Sequence, residues 1–183
     1  MSTTTTIAPT GTWTVDTKHS KVGFAVKHLG IATVRGEFKE FEGTFEIGDD
    51  LSTSRAYGKV NAASIDTNEP GRDEHLRSAD FFGADENPEL TFESTAIEQI
   101  DDETLRITGD LTINGVTRSE VFHAEIQGTE TDPWGNDRVG FEVTGQISRG
   151  DYGMKFNQVL GSGNTLVGDK VKIALDISAV NAS

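Results

Sequence analysis

The sequence predicts an all-β fold of about eight antiparallel strands, and three observations support this. Apolar and polar residues alternate over most of the chain, as they do in strands with one buried face. Turns rich in Gly, Asp and Asn separate these runs at the spacing typical of a sandwich or a barrel. Glycines such as Gly36, Gly43, Gly58 and Gly109 lie within or beside the strand patterns, which favours a curved, closed sheet over a flat one.

The chain of 183 residues is long enough to bury one substantial core. Residues 1 to 10 are Thr-rich and unpatterned, so we expect a disordered tail followed by a single domain over residues 11 to 183. The first residues lack the basic and apolar regions of a secretory signal, and the chain has no cysteine, which together favour the cytoplasm. No apolar run is long enough for a membrane span.

Period-two alternation marks the strands in order along the chain. After the first strand, the apolar pattern changes parity once near residues 39–40, which indicates a bulge or a bend. The pair Asn114-Gly115 is a strong hairpin signal between two further strands. The residues whose parity predicts that they face the interior of the sheet are Val22, Phe24, Val26, Phe45, Phe92, Leu111, Phe141 and Ile173.

One segment departs from the strand pattern and is predicted to be a short helix over residues 72 to 79. It follows the turn signal Glu69-Pro70-Gly71 and is rich in charged residues. Leu76 and the adjacent Phe81 and Phe82 would anchor this segment to the apolar interior.

The formal net charge of −14 narrows the choice of partners. The charge disfavours nucleic acid, because phosphate binding depends on clustered Lys and Arg, and it also disfavours adsorption to an anionic membrane surface, so we expect no nucleic-acid partner. One stretch differs from the rest of the chain. From Lys18 to Arg35 there are four basic residues and two histidines but no acid.

The sequence contains no evident metal-binding or catalytic constellation. Asp73 and His75 are two residues apart and point in different directions on a helix, while His19, His28 and His123 are distant in sequence. We therefore expect no metal and no cofactor. No nucleophile elbow or phosphate-cradling loop is present either. The interior could hold packed side chains or one elongated ligand, and the residues alone leave both open.

Six motifs occur in an order that, taken together, indicates a known family. They are TWTVDTKHSKVGFAVKHLG (12–30), VRGEFKEFEG (34–43), RDEHLRSADFF (72–82), NPELTFES (87–94), GDLTINGVTR (109–118) and ISRGDYGM (147–154). From Trp13 to Ile177 the chain resembles the YceI-like family of lipocalin-like, polyisoprenoid-binding proteins. The resemblance implies an extended eight-stranded antiparallel lipocalin-like barrel whose apolar channel holds a long lipid such as a polyisoprenoid or an isoprenoid quinone.

The implied function is binding, carriage or sequestration of that lipid, without catalysis. The alternatives are an enzyme that acts on a bound lipid through an acid–base pair drawn from His19, His75 and Asp151, and a stress-related barrel without a ligand. A homodimer is left open. The candidate ligand-binding residues are Phe24, Val26, His28, Phe38, Phe45, His75, Phe81, Phe82, Phe92, Phe141, Arg149 and Tyr152.

Three details of this site stay open at the level of sequence. His75 could instead be a buried structural histidine, and Arg149 could pair with Asp151 at a strand end. Tyr152 stands where the family commonly has phenylalanine and would add a hydroxyl near the channel. Lys21 and Lys27 have the parity opposite to the apolar face, so we expect them in solvent and predict a neutral rather than an anionic head group.

Overall fold

The computed structural model describes residues 9 to 182, so residues 1 to 8, most of the predicted tail, lie outside the described residues. The described chain contains one α-helix and eleven strands. The strands are β1 (Gly11–Val15), β2 (Lys21–His28), β3 (Ala32–Phe38), β4 (Phe41–Ile47), β5 (Arg55–Asn61), β6 (Ile65–Asp66), β7 (Glu89–Gln99), β8 (Thr104–Ile113), β9 (Val116–Thr131), β10 (Asp137–Ser148) and β11 (Val167–Asn181). The helix, α1, spans Pro70–Arg77.

Eight of these strands close into an antiparallel barrel, which confirms the predicted fold class. The ring runs β1-β4-β5-β7-β8-β9-β10-β11 and closes because β1 pairs with both β4 and β11. All of its pairs are antiparallel. Closure leaves no free sheet edge around this part of the molecule.

The remaining strands extend the sheet beside β1. β11 pairs with β1 near its carboxyl end and with β2 over the rest of its length, and β2 pairs with β3. The parity change near residues 39–40 is a complete break in the strand, since β3 ends at Phe38 and β4 begins at Phe41. β4 pairs with β1, whereas β3 pairs with β2 and the short β6. At this bend the chain therefore leaves the pairing with β2 and enters the eight-stranded ring as β4.

The helix starts two residues before the predicted position and ends two residues earlier. Glu69, which was expected to belong to the preceding turn, is the N-cap: its carboxylate accepts hydrogen bonds from the backbone N–H groups of Gly71 and Arg72. Pro70 fits the first turn because its missing N–H has no partner to lose there. Ser78 ends the helix by donating its hydroxyl hydrogen to the carbonyl of His75.

Two of the glycines within strands make room for phenylalanine rings. Phe24 on β2 is paired with Gly36 on β3, where a Cβ atom would lie 2.5 Å from the ring. A Cβ atom at Gly109 would likewise lie 2.5 Å from the ring of Phe92. Each ring therefore covers the backbone of the neighbouring strand at the glycine. A larger residue at either glycine would collide with the ring.

A charged cluster links the turn after β1 to the β9–β10 hairpin, at the end of the barrel where β1 closes the ring. The Arg138 guanidinium donates hydrogen bonds to Asp16, in the turn after β1, and to Asp132, in the β9–β10 hairpin, both at 2.8 Å. His19 Nδ1 lies 2.7 Å from the same Asp16 carboxylate. The hydrogen bond from Arg138, followed by that with His19, lowers the pKa of Asp16 from 3.8 to about 2.

We expect Arg138→Met to lower the thermal midpoint at neutral pH and to make it less sensitive to acid. Because the folded-state pKa of Asp16 lies below its unfolded value, ionised Asp16 stabilises the barrel fully above about pH 4. That contribution disappears as the pH falls towards 2. Thermal unfolding of both proteins between pH 7 and 2 checks this: the difference in midpoint should shrink on acidification, and a constant difference would contradict it.

Candidate ligand-binding cavity

The barrel contains a partly open cavity that is lined almost wholly by apolar side chains. Its volume is about 200 Å³. Its walls come from all eight strands of the ring and also from β2 and β3, which lie outside it. The large apolar and aromatic side chains among the lining residues are Val15, Val22, Phe24, Phe38, Phe41, Phe45, Tyr57, Val60, Leu90, Phe92, Ile107, Leu111, Ile113, Phe122, Val143, Ile173, Leu175 and Ile177.

Small residues on two adjacent strands create the space. Gly43 on β4 lies directly across from Gly58 on β5, and Ala56 on β5 lies across from Phe45. These residues line the cavity together. Elsewhere along these strands, inward positions carry bulky side chains that fill the barrel. The cavity therefore lies against the side where two neighbouring strands present almost no side-chain volume.

The charged groups along the cavity wall are paired, and so is the hydroxyl of Tyr57. Lys59 Nζ lies 3.5 Å from Glu42 Oε1 and 3.4 Å from Glu89 Oε1, and all three side chains are exposed. The hydrogen bond that Lys59 donates to Glu89, together with the negative charge of Glu89, raises the pKa of Lys59. Tyr57 donates to Glu46 at 3.3 Å. A ligand in the cavity would thus meet an apolar interior and a charged pair at the wall, with no isolated charge inside.

Four of the predicted site residues line this cavity: Phe24, Phe38, Phe45 and Phe92. Phe141 lies one layer behind them, buried and stacked on Phe45 with the ring centroids 4.9 Å apart. The parity argument also placed Val22, Leu111 and Ile173 inside, and these three line the cavity too. Alternation thus predicted the lining on strands from both halves of the chain.

The pair Phe81-Phe82 packs beside the cavity rather than lining it. Phe82 meets Phe38 edge to face at 5.5 Å, so it supports a residue of the cavity wall. Phe81 is buried and contacts Phe156, at 5.5 Å. The two rings therefore connect the segment after α1 to the lining at one end and to the β10–β11 loop at the other.

Three other candidates lie away from the cavity. Val26 and His28 are half-buried further along β2 and are not among the lining residues. His75 is half-exposed rather than buried, with Nε2 2.9 Å from Asp80 Oδ2. Its ring packs edge-on against Phe81 and Phe156 at about 5 Å. His75 therefore belongs to the aromatic contacts behind Phe82, one layer from the cavity.

Arg149 is buried, and its side chain forms hydrogen bonds with backbone carbonyls. Its three guanidinium nitrogens donate to the carbonyls of Gly168, Met154 and Val167, at 2.8, 2.6 and 3.2 Å. No bond to Asp151, the partner considered from the sequence, is among these. Arg149 thus holds the end of β10 against the start of β11, and each of its three guanidinium nitrogens donates to a backbone carbonyl.

Tyr152 is fully buried, and its hydroxyl donates to Glu120 Oε1 at 2.8 Å. Burial, reinforced by this bond, raises its pKa. Asn114 donates to the Tyr152 carbonyl at 3.1 Å, so both ends of the residue are anchored to the β8–β9 hairpin region. The extra hydroxyl therefore points to a partner on β9 and not into the cavity.

The groups named for an acid–base pair are dispersed. His19 is exposed beside Asp16, His75 pairs with Asp80, and Asp151 is exposed; none of the three lines the cavity. Within residues 9 to 182, no three His, Asp or Glu side chains are grouped closely enough to hold a metal ion. Over the same residues, no helix has the length and apolar character needed to cross a membrane.

A closed antiparallel barrel around an apolar cavity defines the lipocalin-like class of β-barrels. The match to the model of the YceI-like domain over residues 13–179 is more specific. The chain is 42% identical to Protein YceI of Shigella flexneri over 139 residues, which are 75% of this chain and 72% of that protein. The chain therefore belongs to the YceI-like family.

Two solved structures share the fold. BcnA of Burkholderia cenocepacia has a TM-score of 0.77 and 22% identity, with 90% of this chain and 98% of that chain covered. A polyisoprenoid-binding domain from Saccharophagus degradans, implicated in plant cell wall breakdown, has a TM-score of 0.71 and 12% identity, with 92% and 98% covered. At these identities the likeness extends to the fold alone.

Proposed function

We propose that this protein binds a long amphiphilic lipid, an isoprenoid or an isoprenoid quinone, and carries or sequesters it with the tail in the barrel cavity. The observation that carries the proposal is the cavity itself: a closed barrel with unfilled space bounded by Phe24, Phe38, Phe45 and Phe92. An apolar cavity inside a stable barrel costs packing contacts, and a bound tail restores them.

A tail can supply the affinity without specific polar contacts. Burial of each CH₂ group contributes about 0.8 kcal/mol, so a few buried isoprene units suffice for tight binding. Phenylalanine rings and branched aliphatic side chains match the methyl-branched shape of such a tail. The polyisoprenoid-binding domain of Saccharophagus degradans has the same fold, which supports this choice of ligand class.

The charges at the wall favour a neutral head group. Lys59 pairs there with both Glu42 and Glu89, and Glu42 and Lys59 are the only charged side chains that line the cavity among the described residues. Lys21 and Lys27 are exposed, and Lys21 pairs with Glu37 at 3.7 Å. An anionic head group would therefore find no unpaired cation among the described residues that line the cavity, within an acidic protein of net charge −14.

A series of prenyl quinones with tails of increasing length tests the proposal. We expect the dissociation constant to fall more than tenfold, or about 1.4 kcal/mol, for each added isoprene unit until the cavity is full, and then to level off. Quenching of the intrinsic fluorescence by the quinone, or calorimetry, would follow the binding.

The same quinone ring with a short polar side chain is the matched control, because it keeps the head group and lacks the tail. Tail-independent affinity would contradict the proposal, as would the absence of binding at every length. Those results would favour a barrel that needs no ligand.

A further inference from the structure

Two loops at one end of the barrel form a surface unlike the rest of the protein, which we call the acid-free tip: residues 27–35 and residues 155–166. Thirty Asp and Glu residues are distributed along the chain, but neither segment contains one. The tip carries three exposed cations, Lys27, Arg35 and Lys155. It is therefore locally basic in a protein of net charge −14.

The two segments are joined in space. The Leu29 N–H donates to the carbonyl of Leu166 at 3.0 Å, and a Cβ atom at Gly30 would lie 3.3 Å from the side chain of Asn164. The second loop is tied to itself by the bond from Leu160 N–H to the Asn164 carbonyl, at 2.7 Å. The β2–β3 turn and the β10–β11 loop thus make one continuous projection.

Large apolar side chains stand in solvent at this projection. Ile31 is 81% exposed at the turn, and Val159 is 72% exposed in the loop. Isolated exposed apolar residues are common, but two on adjoining loops, within a surface that carries cations and no acid, match the pattern of a membrane-docking surface. Acids lie at its margin: Glu37 follows Arg35 on β3 by two residues, Asp169 accepts a bond from Gly150 N–H, and Asp80 pairs with His75.

The tip is also connected to the cavity. Phe156, at the root of the second loop, packs against Phe81, and the neighbouring Phe82 packs against Phe38 in the cavity wall. A membrane in contact with Ile31 and Val159 would thus lie next to a row of aromatic side chains that leads to the cavity.

We infer that the acid-free tip docks on phospholipid bilayers that contain anionic lipid, with Ile31 and Val159 entering the interface and Lys27, Arg35 and Lys155 facing the head groups. The rest of the acidic surface is repelled, so the tip is the part that faces the membrane. At physiological ionic strength, salt screens charges that are more than about 8 Å apart, so the acidic surface is repelled only at short range. The cations at the contact still attract the anionic head groups. Transfer of a lipid between such a bilayer and the cavity would rest on the proposed function, whereas the docking itself does not.

Flotation with vesicles of phosphatidylcholine and about 30% phosphatidylglycerol, without any isoprenoid, tests the inference. Wild-type protein should float with these vesicles and about tenfold less with pure phosphatidylcholine. The double variant Ile31→Ser, Val159→Ser should bind the anionic vesicles at least about tenfold more weakly, and so should Lys27→Gln, Lys155→Gln.

The matched control is Trp134→Ser. Trp134 is also 81% exposed but lies in the β9–β10 hairpin, beside Asp132 and near the opposite end of β11. Its replacement should leave vesicle binding unchanged. Equal loss in this control, or no binding by the wild type, would overturn the inference. So would a wild-type dimer that the Ile31 and Val159 changes dissociate, because the tip would then be an interface between copies.

The two proposals can fail separately. If the wild type binds prenyl quinones in solution but ignores the vesicles, the tip is not a docking surface and the lipid-binding function stands. If it binds the vesicles but no quinone, docking stands and the function of the cavity is wrong.

Discussion

Replacing Ala56 by leucine should weaken the binding of a long prenyl quinone roughly fiftyfold. Ala56 is buried, lines the cavity and lies across from Phe45, so the larger side chain extends into the unfilled space. Three added carbon atoms displace about three methylene groups of the tail, which corresponds to about 2.4 kcal/mol at 0.8 kcal/mol each. Quinone titration of both proteins measures the difference.

The free energy of unfolding of this variant shows whether weaker binding comes from an obstructed cavity or from a destabilised fold. Leucine should leave the free energy of unfolding unchanged or raise it, because it buries apolar surface in existing space. Ala174→Leu makes the same change on the exposed face of β11 and should affect neither property. If Ala56→Leu is overpacked and unfolds, Ile173→Phe obstructs the cavity from β11 instead. A folded variant with wild-type affinity would place the tail elsewhere.

Replacing Arg149 by methionine should destabilise the protein by about 3 kcal/mol or more without altering its affinity for lipid. Methionine fills similar space but removes the donor to the carbonyls of Gly168 and Met154, whereas the Val167 carbonyl still accepts from Asn157 and Thr165. A buried polar group that loses its partner costs about 1–3 kcal/mol, and water can replace part of this. Urea unfolding followed by circular dichroism measures the loss.

Arg149→Lys is the informative companion variant. It keeps the charge but cannot reproduce the three-way fork of the guanidinium, so we expect an intermediate loss of stability. If Arg149 instead acted on the ligand, the lysine variant would bind lipid more weakly while remaining stable. A methionine variant within about 0.5 kcal/mol of the wild type would show that the three bonds contribute little.

The alternation of apolar residues predicted most of the fold and part of the cavity. A strand presents alternate residues to opposite faces, so parity alone places Phe24, Phe92 and Ile173 inside a one-sided sheet. The start of α1 was misplaced because Glu69 and Pro70 serve equally well in a turn and in a helix N-terminus. Local signals of this kind cannot fix a boundary to within two residues.

Two features depended on contacts between distant parts of the chain and were beyond sequence reasoning. The cavity lies where Gly43 and Gly58 face each other, and only the register of β4 on β5 brings them together. The bonds of Arg149 to Val167 and Gly168 likewise span 18 and 19 residues of an irregular loop. The glycines within strands and the arginine at a strand end indicated that these positions have a structural role. The sequence did not show which distant residues they contact.

Native mass spectrometry of the protein as purified, and again after incubation with a defined polyprenyl quinone, tests the central claim most directly. We predict a complex of one quinone per chain that Ala56→Leu largely abolishes and Ala174→Leu retains. A wild-type protein that stays at its unliganded mass in both samples, with the quinone in excess, would contradict the account.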